Sequence, residues 1–201
     1  MTSRRKFLHM GVAALALPIS GHARVLPAIS ARSDEPSMPF HKVVFDARFA
    51  ACRAFANEAQ RLGLNIHEIR GDVTDLWFND LHACWKEGPA PIAGLTQKAA
   101  LFCLDVLARD QRMHLVYLGE HFCRPEDRME HVLSGPPDVL RQAAGLEASG
   151  PEWTSRVAKL MSRFPGRLSA EGTPPVIAPL VSAADDPGHL VSWVIAPRSA
   201  V

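Results

Sequence analysis

Polar side chains that could do chemistry follow three apolar, strand-like segments of this chain. They are Asp46 and Arg48 after the first segment, Gly71 and Asp72 after the second, and Gly119, Glu120 and His121 after the third. Ligands of an open parallel sheet gather at the carboxyl ends of its strands, so we expect these residues to meet at one edge. Thr96, at the predicted start of a helix, should lie at the same edge. The pattern therefore predicts a shared binding site.

These residue types allow three kinds of chemistry. Helix amino ends and the Arg48 guanidinium would favour a carboxylate, phosphate or enolate oxygen of a small ligand. In an enzyme, His121 would act as general acid or base, with Glu120 or Asp72 as its orienting partner. A third possibility is a mixed oxygen and nitrogen site for Mn, Fe or Zn, formed by Asp46, Asp72, Glu120 and His121.

Each candidate also has a purely structural explanation. Asp46 and Asp72 could be helix caps, and Arg48 could be a surface charge. Glu120 and His121 could belong to a solvated loop. The sequence alone leaves these explanations open beside the functional ones.

Trp77 belongs to a group of aromatic residues at near-helical spacing, which favours core packing or the wall of an apolar ligand pocket. The sequence lacks the familiar motifs of hydrolases, nucleotidases, metalloproteases and dehydrogenases. It therefore names neither a reaction nor a cofactor.

The four cysteines contain no Cys-x-x-Cys pair, which disfavours iron–sulfur, zinc-ribbon and haem c sites. Cys52 and Cys103 fall on apolar helical faces, where buried free thiols are expected. Three disulfide pairings nevertheless remain open. His82 and Cys84 form a poor metal pair, because residues two apart on a helix face different directions.

The elements that must position these residues alternate between strands and helices. We predict strands at 42–46, 64–69, 114–118, 175–181 and 189–196, and helices at 47–62, 73–86, 96–110, 138–146 and 151–164. Early strand–helix alternation is typical of βαβ units. The predicted fold class is therefore α/β: a three-layer sandwich with a small, mainly parallel sheet and a C-terminal β-hairpin. An α+β arrangement is the alternative.

The first 23 residues have the charged start, short apolar run and small-residue exit of a signal peptide. The apolar run is about ten residues long, half of what a bilayer span needs. Ser3-Arg4-Arg5-Lys6-Phe7-Leu8 resembles the twin-arginine (Tat) export signal. We predict cleavage after Ala23, with Ser30 as the second choice, and an ordinary Sec signal is the alternative.

The Tat resemblance implies that the chain meets the Tat machinery, crosses the membrane folded, and resides in the periplasm or is secreted. A bound group or a partner protein is a common reason for such export. Residues 1–23 would then be the signal peptide, 24–40 a disordered lead-in, and 41–201 a single domain. No transmembrane helix is predicted for the mature chain.

Composition limits the remaining function classes. The chain has 201 residues, 47% of them hydrophobic, and a formal charge of +1, which fits one globular domain and disfavours nucleic acid as a partner. The leading hypothesis is an exported protein that binds a small ligand or assists a partner enzyme. Alternatives are an enzyme that uses His121, and a subunit of a larger redox enzyme that docks through Val176–Val181 and Trp193–Ile195.

Overall fold

A computed structural model describes residues 37–124, 128–146, 149–166 and 188–197. All of these residues belong to one compact unit of the chain. The predicted signal peptide, most of the predicted lead-in and the predicted strand 175–181 lie outside the described residues.

The described elements are six strands and six α-helices, with a π-helical segment and a short 3₁₀ turn. The strands are β1 (Lys42–Asp46), β2 (Ile66–Ile69), β3 (Ile92–Thr96), β4 (Met113–Arg124), β5 (Arg128–Ser134) and β6 (His189–Pro197). The α-helices are α1 (Ala50–Arg61), α2 (Thr74–Leu76), α3 (His82–Glu87), α4 (Lys98–Arg109), α5 (Pro137–Ala143) and α6 (Trp153–Ser162). The π-helical segment Trp77–Leu81 joins α2 to α3, and the 3₁₀ turn spans Gly150–Glu152.

The six strands form one mixed sheet in the order β2-β1-β3-β6-β4-β5. β1 is parallel to β2 and to β3, whereas β6 is antiparallel to both of its neighbours and β5 is antiparallel to β4. The α/β class is confirmed at this level. The expectation of a mainly parallel sheet is not, because antiparallel pairings outnumber parallel ones among the described strands.

Two strands differ from the predictions. Ile92–Thr96 is the third strand of the parallel part, although its glycine and the nearby prolines favour a turn. The strand predicted at 114–118 runs on to Arg124 and pairs with β5, a strand that the sequence analysis does not predict. Of the predicted C-terminal hairpin, the second strand is β6, which inserts between β3 and β4, and the first, 175–181, lies outside the described residues.

The sheet separates two groups of buried apolar side chains, because successive residues of a strand face opposite sides. Val43 and Phe45 pack with residues of α1, α5 and α6. Val44 packs in the other group, with residues of α3 and α4. The strands of the centre therefore contribute to both groups.

Residues 37–40 fall in the predicted lead-in, yet they contact the domain. Ser37 forms an isolated bridge with Pro165, and the Met38 backbone N–H donates to the Phe164 carbonyl at 2.7 Å. The domain therefore includes contacts that begin before residue 41. None of the described helices is long and apolar enough to cross a bilayer.

Candidate functional site

The carboxyl end of β1 carries an arginine that a buried carboxylate holds in place. Asp46 is fully buried, and the Arg48 guanidinium donates to both of its carboxylate oxygens, with Nη2 to Oδ2 at 2.7 Å and Nε to Oδ1 at 3.0 Å. The Arg48 backbone N–H also donates to Asp46 Oδ1 at 3.1 Å. Such a two-point contact fixes the plane of the guanidinium.

Residues of two connecting segments also contact the Arg48 side chain. Gln97, between β3 and α4, accepts a hydrogen bond from Arg48 Nη2 at 2.7 Å. Gly71, after β2, has a φ of 85°, and a Cβ placed there would come within 2.5 Å of Arg48 Cζ. Only glycine suits both the left-handed backbone and this close approach. We call Asp46, Arg48, Gly71 and Gln97 the arginine cluster.

A second polar group lies where β4 and β6 meet. Glu120 Oε1 is 3.5 Å from Lys98 Nζ and 3.4 Å from His189 Nε2. Phe122 stacks on the His189 ring, with ring centroids 4.2 Å apart. Lys98 directly follows Gln97, so the start of α4 connects this group to the arginine cluster.

The strand directions place both groups at the same edge of the sheet. β6 is antiparallel to β3 and to β4, so β4 runs in the same direction as β1 and β3. Asp46, Thr96 and Glu120 therefore lie at or near the carboxyl ends of similarly directed strands. The structure brings Asp46, Arg48 and Gly71 together in direct contact, as the sequence predicts.

His121 has different surroundings from those expected. It is fully buried, with its Nδ1 hydrogen bonded to His131 Nδ1 and its Nε2 to Ser192 Oγ, both at 2.8 Å. Its ring packs on Trp153 with centroids 4.6 Å apart, and Ser192 Oγ donates to the Tyr117 hydroxyl at 3.4 Å. We call His121, His131, Ser192 and Tyr117 the histidine network.

This environment disfavours a proton on the His121 imidazole. Burial, and then the positive charges that His131 and His189 can carry, lower the pKa of His121 to about 3. A base for an external substrate must be within reach of that substrate, whereas this ring has no exposed surface. Glu120, one of the two expected carboxylate partners, faces the opposite side of the sheet, because Glu120 and His121 are successive residues of β4.

The remaining predicted site residues make structural contacts. Asp72 accepts hydrogen bonds from the Thr74 hydroxyl and backbone N–H at 2.6 and 2.8 Å, which lower the pKa of its carboxyl, and the N-cap of α2 is Val73. Thr96 ends β3 instead of starting a helix, and its buried hydroxyl accepts from Trp193 Nε1 at 3.0 Å. Trp77 packs edge-on against Trp85, with centroids 6.1 Å apart.

The part of the predicted docking surface that the structure describes is buried. Trp193, Val194 and Ile195 are completely buried at the centre of the sheet. Val176–Val181 lies outside the described residues. Docking through Trp193–Ile195 is therefore excluded by burial.

All four cysteines are free. Cys52 is buried as expected, and burial raises the pKa of its thiol to about 12. Cys103 and Cys123 are exposed and Cys84 is half-buried, so the prediction of a buried Cys103 is wrong.

Two open cavities lie on the described surface. One, of about 320 Å³, borders β2 and α2 on both sides of Gly71 in the sequence; it is lined by His67, Glu68, Ile69, Arg70, Asp72, Asp75 and Leu76. The other, of about 340 Å³, lies between α5 and α6; its lining includes Arg156, Lys159 and Arg163. This second, basic cavity was not expected from the sequence, although its three cations recur at helical spacing.

The predicted metal site does not form as a group among the described residues. The one set of three or more His, Cys, Asp or Glu side chains there that is close enough to share an ion is His41, Asp80 and Cys84. Sequence reasoning missed this set because His41 lies 39 residues before Asp80 along the chain.

No protein-family model, curated protein or solved structure matches the chain.

Proposed function

We propose that this chain is an exported binding or accessory protein that holds a small anion, a carboxylate or a phosphate, at the arginine cluster. One observation carries the proposal: a fully buried Asp46 carboxylate fixes Arg48, whose side chain remains 41% exposed. A guanidinium oriented in advance is suited to a second, incoming oxyanion.

The surroundings of Arg48 support the same function. Gly71 lets the backbone approach the guanidinium without a side chain, and Gln97, which follows β3, accepts a hydrogen bond from it. The buried, neutral His121 supports binding over acid–base catalysis, because no solvent reaches its ring. The proposed ligand is therefore held and released, not transformed.

The test is calorimetric titration of the full chain with succinate and with inorganic phosphate, with glucose as an uncharged comparison. We expect one of the anions to bind and Arg48→Lys to weaken that binding at least about tenfold, because lysine lacks the planar fork. The matched control is Arg61→Lys, a more exposed arginine of α1 paired with Glu58 at 2.7 Å, which should bind as the parent does.

Two outcomes would overturn the proposal. One is that neither anion binds. The other is that Arg156→Gln, in the basic cavity between α5 and α6, removes binding while Arg48→Lys does not. The second outcome would move the site to a surface with three exposed cations.

Export by the Tat route is also a proposal, and the Ser-Arg-Arg-x-Phe-Leu sequence supports it. Residues 1–40 fused to a reporter should reach the periplasm. Replacing Arg4 and Arg5 by lysine should abolish this transport, whereas Lys6→Gln should not. Transport that persists with the lysine pair would favour the Sec alternative.

A three-layer arrangement is the finer form of the fold that we infer. Its support is that α1, α5 and α6 contribute to one group of buried side chains and α3 and α4 to the other. The arginine cluster would then lie at the rim where these layers meet the sheet.

A further inference from the structure

Three residues with different ligand chemistry meet near the amino end of β1, away from the carboxyl edge. His41 directly precedes β1, Asp80 lies in the π-helical segment, and Cys84 lies in α3. His41 Nε2 is 2.5 Å from Asp80 Oδ1. One ligand atom from each of the three residues lies within 4.8 Å of the other two.

The local fold fixes these residues before any ion binds. The His41 backbone N–H donates to the Pro91 carbonyl at 2.7 Å, and Asn65 Nδ2 donates to the His41 carbonyl at 2.8 Å. In α3, the helix that carries Cys84, the buried Trp85 indole donates to the Ala90 carbonyl at 2.8 Å, and this bond fixes the helix. Both backbones are therefore held by contacts that do not involve the three side chains.

The helical geometry explains why Asp80 and Cys84 converge. Residues four apart lie on the same side of a helix, so these two side chains point towards the same neighbour. π-helical turns are rare and occur frequently at functional sites. Lys42 Nζ contacts Asp80 Oδ2 at 3.2 Å, which leaves the other oxygen, Oδ1, directed towards His41.

The donor set identifies the class of ion. An imidazole, a carboxylate and a thiolate together suit a borderline ion such as Zn²⁺, which binds nitrogen, oxygen and sulfur at about 2.0 to 2.3 Å. Ligand atoms around a tetrahedral ion at these lengths lie about 3 to 4 Å apart, so the observed spacing needs only side-chain rotation. Mg²⁺ and Ca²⁺ prefer all-oxygen sites and are poor candidates.

We propose that His41, Asp80 and Cys84 bind one Zn²⁺ ion and leave a fourth position for water or another small ligand. Binding would replace the proton between His41 Nε2 and Asp80 Oδ1, with the neutral ring keeping its proton on Nδ1, and would release the proton of the Cys84 thiol to solvent. About a quarter of the side-chain surface of His41 and Asp80 is exposed, 30% and 23%, so the ion has a path from solvent. This proposal is independent of anion binding at the arginine cluster.

Cobalt substitution tests the site through its spectrum. Titration of the tag-free full chain with Co²⁺ should produce a thiolate-to-cobalt charge-transfer band and tetrahedral ligand-field bands that saturate at one ion per chain. Added Zn²⁺ should displace Co²⁺ and so remove these bands. Cys84→Ser should abolish the charge-transfer band, and His41→Gln should weaken binding at least about tenfold.

Matched controls use the other accessible thiols. Cys103→Ser and Cys123→Ser, at exposed cysteines, should leave the cobalt spectrum unchanged. Near-ultraviolet circular dichroism of Cys84→Ser checks that the variant is folded. The proposal fails if the parent chain gives no charge-transfer band, or if the band survives Cys84→Ser and disappears in either control.

Discussion

At the residue scale, His121 shows how burial changes the role of a side chain that suggests catalysis. Its sequence position at the end of a strand predicts a proton-transfer residue, but its hydrogen bonds go to His131 and Ser192 inside the protein. The sequence could single out His121 as a titratable residue near a strand end. It could not identify the hydrogen-bonding partners of this histidine, because Ser192 is 71 residues away along the chain.

The first prediction concerns the pH dependence of stability. The pKa of His121 is about 3 in the folded chain against an ordinary value of 6.5, so the unfolded chain takes up the proton first. The resulting stabilisation is complete above pH 6.5 and is lost as the pH falls towards 3. In His121→Gln, the free energy of unfolding should fall less steeply over this range, by up to about 1.4 kcal/mol per pH unit.

Urea unfolding at a series of pH values measures this slope. Equal slopes for the parent and His121→Gln would contradict the buried neutral imidazole.

The arginine cluster is the contrasting case at this scale. Asp46, Arg48 and Gly71 could be grouped from the sequence, because each lies at the carboxyl end of β1 or β2 or within two residues of it. Gln97 could not be included, because the sequence places a helix start at Thr96 and hides the strand that ends there. The structure brings these residues of the β1 and β2 ends together and adds Gln97, which follows β3.

At the element scale, β3 is the strand that local sequence signals conceal. Every residue of Ile92–Thr96 is buried, so the alternation that marks a half-exposed strand is absent. Its small residues have a packing reason: a Cβ on Gly94 would come within 2.5 Å of both Trp193 Cζ2 and the Val44 carbonyl oxygen. A glycine that looks like a turn signal is in fact required by the neighbouring strands.

The second prediction follows from this close packing. Gly94→Ala should destabilise the fold by about 1 to 3 kcal/mol, because the backbone oxygen of Val44 cannot move aside. Gly88→Ala is the matched control, since nothing lies within 4 Å of a Cβ there, and it should change stability by less than about 0.5 kcal/mol. Thermal unfolding of both variants is the measurement, and equal losses would contradict the packing of β3 on Trp193.

At the scale of the whole molecule, the position of β6 determines the topology. The strand at residues 189–196 could be predicted from its many β-branched residues. Its insertion between β3 and β4 could not, because a sequence pattern does not specify which distant strands pair. The Trp193–Thr96 hydrogen bond, for example, joins residues 97 apart along the chain.

The third prediction tests the central position of β6 by replacing valine with lysine at one buried and one exposed position. Val194 in β6 is fully buried, whereas Val132 in β5, at the edge of the described sheet, is 45% exposed. Val194→Lys should prevent cooperative folding, because it buries an unpaired charge in the central strand. Val132→Lys should fold normally, because its ammonium group reaches solvent.

Circular dichroism and size-exclusion chromatography distinguish these outcomes. Loss of the folded signal in Val194→Lys alone is the expected result. A folded, monomeric Val194→Lys protein would show that β6 is not the central strand in solution.

The order of synthesis gives the placement of β6 a further meaning. β3 and β4 each keep one open hydrogen-bonding edge until residues 189–197 have left the ribosome, because β6 pairs with both. The nascent chain therefore cannot complete its sheet early, and its two halves join only when this late segment inserts between them. A transporter that accepts only folded proteins would therefore bind this chain only after β6 has been translated and has paired with both β3 and β4.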